Sequence, residues 1–146
     1  MDKVSLLLAA LAGLLMAVTG AFNGTLSKQM GLLESTFVAF LLGTAVLAVA
    51  LFGLKMGKGD LAAIKDVPKL YLLSGPLNVG IIALVAFVTA KCGSAPATTA
   101  IILGQTASAA VIGMFSLFGT AAYHLRPVNG LGFLLFLVGA FLILRQ

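Results

Sequence analysis

The sequence predicts an all-α, polytopic membrane protein with five transmembrane helices. Of its 146 residues, 61% are hydrophobic and only 9% are charged, whereas a soluble domain is roughly 45–50% apolar and ~25% charged. The mean hydropathy is correspondingly high, at +1.17. The apolar residues also form five blocks, and each block approaches the ~20 residues that a helix needs to cross the hydrocarbon. These blocks cover residues 4–23, 36–54, 69–90, 96–119 and 127–144.

Polar stretches predict where the first two helices end and begin. Asn23, Gly24 and the polar patch 27–29 follow the first apolar block, so we expect them to end that helix. The stretch 34–36, Glu-Ser-Thr, is typical of a capped helix start. The longest connection, 55–68, is too short for a separate domain. We therefore predict one five-helix domain over residues 1–146.

Prolines mark the later helices. Pro68 and Pro127 open the third and fifth blocks, and Ser94 followed by Pro96 predicts a capped start for the fourth. Pro76 differs because it lies inside the third block, where a missing N–H and a bulky ring should kink the helix.

The basic residues give a weak preference for one orientation. Five crossings place the two termini on opposite sides, and positive charge favours the cytoplasm. The excess on the N-terminal side favours a cytoplasmic N-terminus, but it is small enough to be compatible with insertion in both orientations. The N-terminal side holds Lys3, Lys55, Lys58, Lys65, Lys69 and Arg126, and the other side holds Lys28, Lys91 and Arg145.

Composition excludes several classes of function. No basic cluster lies on a soluble face, so a nucleic-acid partner is not expected. The single cysteine, Cys92, and the single histidine, His124, provide no metal-ligand set. The sequence contains no nucleophile–base set and no phosphate-binding loop. We therefore expect no enzyme activity, no catalytic residues, no metal and no cofactor.

The fourth block contains one amide, Gln105, near its middle. Hydrocarbon offers an amide no hydrogen-bonding partner, and burying it unpaired costs on the order of ~4–8 kcal/mol by transfer to cyclohexane. We therefore expect Gln105 to face protein or a wet cavity. Thr98 and Ser108 share its helix face at alternating three- and four-residue spacing.

Other polar side chains within the apolar blocks are candidates for the same site. Asn78 lies near the middle of the third block, and Thr19 and Asn23 stand four residues apart in the first. Together these residues could line a pocket near the bilayer midplane. The alternatives are that the amides join helices to one another, and that Asn23 caps a helix end. The predicted solute-binding set is Gln105, Asn78, Thr98, Ser108, Thr19 and Asn23.

Small residues recur at four-residue spacing on several helices, which lets helix backbones approach closely in lipid. This pattern predicts tight packing within one bundle or against a second copy. The glycines assigned to packing are Gly13, Gly20, Gly24, Gly104 and Gly113.

No charged residue lies at the central depth of any block. A proton-coupled exporter usually keeps a carboxylate there, because burial raises its pKa and cargo lowers it. Glu34, at a helix mouth, is the nearest acid and the candidate coupling group. The alternatives are that Glu34 simply pairs with Lys28, and that transport is not driven by protons in this way. An uncharged pocket fits a neutral or amphipathic solute.

Four stretches resemble the YdcZ-type branch of the bacterial drug/metabolite transporter superfamily, over nearly the whole chain. Their order and spacing carry the resemblance. They are Asn23-Gly24-Thr25-Leu26 with Gly31; Phe40-Leu41-Leu42-Gly43-Thr44; Gly93-Ser94-Ala95-Pro96-Ala97-Thr98-Thr99 leading to Gly104-Gln105; and Gly130-Leu131-Gly132 with Gly139.

The resemblance implies a five-helix inner-membrane exporter that pairs with an inverted partner. The partner is an identical chain, a paired homologue or a fused copy, and two copies give ten helices about an in-plane pseudo-two-fold axis. The sequence departs from the family pattern at three positions. Gly113 stands where an acidic residue is frequent, Thr19 where glutamine is common, and Asn78 where glycine is common.

The sequence thus predicts a transporter of the bacterial inner membrane. It would act as an antiparallel homodimer that moves a small solute by alternating access. A dual-topology channel, or a structural half-transporter that needs a paired homologue, is the alternative.

Overall fold

The computed structural model describes residues 3–57, 59–119 and 126–145, and every regular element in these ranges is helical. The prediction of an all-α chain with five helices is confirmed. Four helices are long and apolar enough to cross a membrane, and the fifth is shorter. Lys58 and His124 lie outside the described residues. The helices are α1 (Lys3–Met30), α2 (Leu32–Gly53), α3 (Lys69–Cys92), α4 (Ser94–Met114) and α5 (Pro127–Leu144).

Helix α1 runs through the polar stretch that was expected to end it. It has 28 residues, which corresponds to about 42 Å. The hydroxyls of Thr25 and Ser27 donate to the carbonyls of Ala21 and Gly24, at 3.0 and 2.9 Å. These side chains are therefore satisfied by their own helix and do not stop it. The helix ends at Met30, before Gly31, whose φ of 100° is rarely adopted by residues with a side chain.

Helix α2 begins at Leu32 and not at the expected cap around residues 34–36. Gly31 occupies the N-cap position, and no side chain caps the helix. Ser35 and Thr36 are buried and donate back to the carbonyl of Leu32 at 3.0 and 2.8 Å. They are therefore part of the first turn. At its other end α2 widens into the π-helical turn Val49–Gly53.

Helix α3 is interrupted near its start. Its two segments are Lys69–Leu72 and Ser74–Cys92, and Leu73 between them donates to the carbonyl of Leu70 at 3.2 Å. Pro76 has no N–H to donate to the carbonyl four residues earlier, so the regular pattern is lost one turn before the proline.

Helix α4 begins after Gly93, whose φ is 85°, and the expected Ser94 cap is absent because Gly93 is the N-cap residue. The helix ends at Met114, whereas the fourth block was expected to continue to residue 119. Ser116 and Phe118 adopt left-handed φ values of 47° and 55°, which are incompatible with a continuing α-helix. The short 3-10 helix Leu117–Gly119 follows.

The chain divides into two compact units, Met1–Lys91 and Cys92–Gln146. In the first unit α1 packs against α2 and approaches α3, and in the second α4 packs against α5. The single domain over residues 1–146 therefore stays a prediction.

The buried residues are small or polar. Ala86, Ala97 and Ala140 are almost fully buried, as are Ser35 and Thr36, whereas most leucines and phenylalanines of the described residues are exposed. An apolar surface of this extent must be shielded from water by a membrane or by another protein. Small residues at helix contacts and bulky ones outside are typical of helices packed in lipid.

Candidate functional site

Helix α4 has a packed face and an exposed face. Thr106 and Ala110 line the contact with α5, together with Phe133 of that helix, around a cavity of about 260 Å³. Gly113, one turn further along the same face, is buried. The hydroxyl of Thr106 donates to the carbonyl of Ile102 at 2.7 Å. This face is therefore occupied by packing within the second unit.

Gln105 lies on the flank of α4, beside the cavity-lining Ala109. At 3.6 residues per turn, it points about 90° away from the centre of the lining residues Thr106, Ala109 and Ala110, and Ser108 points about 150° away. Both residues are exposed, and Thr98 is half-buried. Among the described residues, the Gln105 amide makes no hydrogen bond. The predicted polar face of α4 thus lies beside the contact with α5 and is exposed at Gln105 and Ser108.

An open cavity of about 240 Å³ lies between α1 and α3 in the first unit, and Leu15, Met16 and Ile81 in its lining are each more than half exposed. Two of the predicted site residues, Thr19 and Asn23, line it from α1, and Gly20 lies between them. Ile81, Ile82 and Val85 form the opposite wall, while Leu15 and Met16 complete the lining on α1. Asn23 lies within α1 and therefore does not cap a helix end.

Asn78 lies on α3 and is exposed, and it does not line that cavity. The six predicted solute-binding residues are divided between the two units. Thr19, Asn23 and Asn78 belong to the first, while Thr98, Gln105 and Ser108 belong to the second. Their assembly into one pocket stays a prediction.

The packing glycines differ in what surrounds them. A Cβ added to Gly24 would lie 3.0 Å from Cγ2 of Thr89 and 3.2 Å from the backbone nitrogen of Ala90, so α1 and α3 are in close contact there. At Gly20 the nearest atom, Cγ1 of Val85, would be 3.4 Å away. No described atom lies within 4 Å of such a Cβ at Gly13 or Gly104.

Glu34 is exposed in the first turn of α2. Its carboxylate folds over Gly31, where any Cβ would collide with it. Among the described residues no ion pair joins it to Lys28, so the simple pairing considered from the sequence is not formed in this chain. Glu34 is left as an accessible carboxylate beside the α1–α2 turn.

Sequence reasoning missed three polar residues at helix contacts. Thr89 is buried on α3 beside Gly20 and Gly24, and Thr106 and Asn129 line a cavity of about 240 Å³ between α4 and α5. The signal that could have found Thr106 is its spacing to Ala110 and Gly113, which marks a second small-residue face on α4.

These features define a polytopic helical membrane protein whose polar side chains lie on helix faces and at helix contacts. A family model described as "Putative inner membrane exporter, YdcZ" matches residues 4–142. The chain belongs to this family, which is a family of membrane transporters and not of enzymes. No curated relative and no solved structure matches the chain.

Proposed function

We propose that two copies of this chain, inserted in opposite orientations, carry a small neutral or amphipathic solute across the inner membrane by alternating access. The family supports the role of exporter. The weak bias of basic residues supports insertion in both orientations. Many transporters consist of two inverted halves related by a two-fold axis in the membrane plane, and an inverted pair of chains would provide this symmetry. In this proposal the N-terminus of the favoured orientation is cytoplasmic.

The observation that carries the proposal is the position of Gln105. Its amide is exposed on the flank of α4 beside the α5 contact, in the middle of an apolar helix. An amide in contact with acyl chains would lose its hydrogen bonds to water without replacement. A polar path shared with an inverted copy removes this penalty, and the same path gives a solute access to the amide.

The proposed solute is uncharged because the proposed binding residues are. The proposed binding residues offer only amides and hydroxyls. They are Thr19, Asn23 and Asn78 in one unit, and Thr98, Gln105 and Ser108 in the other. Such groups bind hydrogen-bonding neutral molecules without the desolvation cost of an ion. Glu34, outside the apolar centre, is the proposed coupling residue.

Flux in proteoliposomes tests the role of Gln105. The purified chain is first screened by thermal shift against small neutral metabolites, and the compound that stabilises it is used as cargo. Gln105→Leu should lower saturable flux at least tenfold while leaving dimer formation intact, because it removes the hydrogen-bonding group and keeps the volume. Thr106→Val, next to it on the packed face, is the matched control and should transport normally.

Unchanged transport by Gln105→Leu would show that the amide only joins helices. In the same assay, Glu34→Gln should abolish proton-driven accumulation but retain counterflow. Saturable exchange supports a carrier, whereas unitary rates far above carrier turnover would identify a channel. Failure of the purified chain to form inverted dimers in lipid would instead indicate a half-transporter that needs a paired homologue.

A further inference from the structure

The cavity between α1 and α3 contains polar groups that the fold leaves unused. Asn23 is 7% exposed, and its amide has no hydrogen-bond partner within residues 3–57, 59–119 and 126–145. No side-chain nitrogen or oxygen in those ranges is both fully enclosed and unpaired. The Asn23 amide therefore opens onto the cavity that it lines.

Thr19, one helical turn earlier, adds a second polar group, although this residue is exposed. It lines the same cavity, and its hydroxyl makes no hydrogen bond to any described residue. Thr25, on the same helix but outside the cavity, instead donates to its own backbone at Ala21. Two polar groups four residues apart are thus available on one wall of the cavity.

The rest of the lining is apolar. Ile81, Ile82 and Val85 on α3 face Leu15 and Met16 on α1, and no charged residue is among the lining side chains. An ion would lose its hydration in such a site without replacement. A molecule that fits must bury an apolar body against α3 and present a hydrogen-bonding group to α1.

The volume indicates the size of the apolar body that this open cavity can hold. The cavity measures about 240 Å³, and an apolar cavity of roughly 150 Å³ is known to hold benzene. A single six-membered ring with one polar substituent therefore fits, with the ring against the isoleucines and the substituent at Asn23.

We infer that the α1–α3 cavity is a binding site for a neutral, ring-sized amphipathic molecule, with Asn23 and Thr19 as its hydrogen-bonding residues. The inference deepens the proposed function by naming the class of solute. It rests on the proposed function only where it identifies the bound molecule as the transported solute. Binding itself requires α1 and α3 alone, which belong to one compact unit.

The test compares 4-fluorophenol with 4-fluorotoluene, which have nearly the same shape but differ in their hydroxyl and methyl groups. Binding to the full chain in lipid nanodiscs is followed by fluorine NMR, and empty nanodiscs of the same lipid correct for partitioning. The phenol should bind about 3–10-fold more tightly than the toluene, the ratio that one neutral hydrogen bond supports.

Asn23→Leu should lower the affinity for the phenol about 3–10-fold and leave the toluene unaffected, because only the hydrogen bond is lost. Thr25→Val is the matched control, since this residue lies on α1 outside the cavity, and it should change neither affinity. Ile82→Trp fills the cavity and should lower both. If Asn23→Leu does not fold, the two probes on the wild-type chain and on Ile82→Trp still give a result.

Equal affinity for the two probes, or unchanged binding in Ile82→Trp, would overturn the inference. Absence of binding in nanodiscs, as expected if a lipid acyl chain fills the cavity, would overturn it as well. The assay uses no gradient and measures no flux. If the phenol binds but no solute is transported, the proposed carrier function is wrong and the binding site stands. If a solute is transported but the probes do not bind, only the proposed binding site is wrong.

Discussion

Gly24 shows how a single residue sets the distance between two helices. Its missing side chain lets α1 approach α3 until Thr89 and the backbone nitrogen of Ala90 lie within 3.2 Å of where a Cβ would be. A backbone atom such as the nitrogen of Ala90 cannot move aside to accommodate a Cβ, whereas a flexible side chain can change its rotamer. The close approach also places Asn23 beside α3, so this glycine supports the cavity as well as the packing.

Replacing Gly24 with alanine should therefore destabilise the chain. The added methyl group meets Thr89 at 3.0 Å and the nitrogen of Ala90 at 3.2 Å, and overpacking of this kind costs about 1–3 kcal/mol. Alanine also gains about 0.5–1 kcal/mol of helix propensity over glycine at either position. The free energy of unfolding, measured by titration with denaturing detergent, should therefore fall by about 1–3 kcal/mol relative to Gly13→Ala. Gly13→Ala is the control on the same helix, because no described atom lies within 4 Å of the new methyl group. Equal stability of the two variants would contradict the close contact.

At the scale of the helix, the positions where helices begin and end depend more on backbone conformation than on capping side chains. Gly31 and Gly93 are each the only residue between two helices, and both have positive φ values. Residues with a side chain rarely adopt this conformation. Side-chain hydroxyls were expected to cap these helices. Ser35 and Thr36 instead donate to a carbonyl within α2, and Ser94 does not cap α4.

The interruption of α3 is attributed to Pro76, and Pro76→Ala should remove it. The new N–H can donate to the carbonyl of Leu72, which would make Lys69–Cys92 one continuous helix. Hydrogen exchange of the amides of residues 73–75 and 77 should then slow by about tenfold, because the opening of this segment becomes costlier. Pro68→Ala, before the first residue of α3, is the control and should leave these amides unchanged. Exchange at the wild-type rate in Pro76→Ala would show that another feature breaks the helix.

At the scale of the whole molecule, most of the bulky apolar side chains are outside and the buried residues are small or polar. This distribution fits a chain whose outer surface is covered by lipid. The hydrophobic effect does not hold helices together in hydrocarbon, so close backbone contact and hydrogen bonds must do so.

An inverted homodimer requires copies in both orientations, and cysteine labelling of intact cells tests this. Cys92 is free and exposed, and it follows Lys91 on the predicted outer side of the favoured orientation. The second reporter is Gly59→Cys in a Cys92→Ser background, at a position with no described atom nearby. An impermeant maleimide should label about half of the copies at each reporter, with a modest excess at Cys92, because the charge bias is weak. Labelling at one reporter only would exclude the antiparallel homodimer and favour a paired homologue.

The sequence by itself determined the helical class, the five helices and the family, because apolar block length and composition are local properties of the chain. It also identified Gln105 as the central amide of α4. The end of α1 at Met30 was not predicted, because polar residues such as Thr25 satisfy their hydroxyls within the helix and do not end it. The end of α4 at Met114 was not predicted because it depends on the left-handed backbone of Ser116 and Phe118.

Only the tertiary structure decided which polar residues meet. Thr19 and Asn23 share a cavity because α1 lies against α3 at Gly24, and Thr106, not Gln105, takes the face of α4 that packs on α5. The sequence places each residue on a helix face, but which face meets another helix depends on close contacts between residues far apart in the chain.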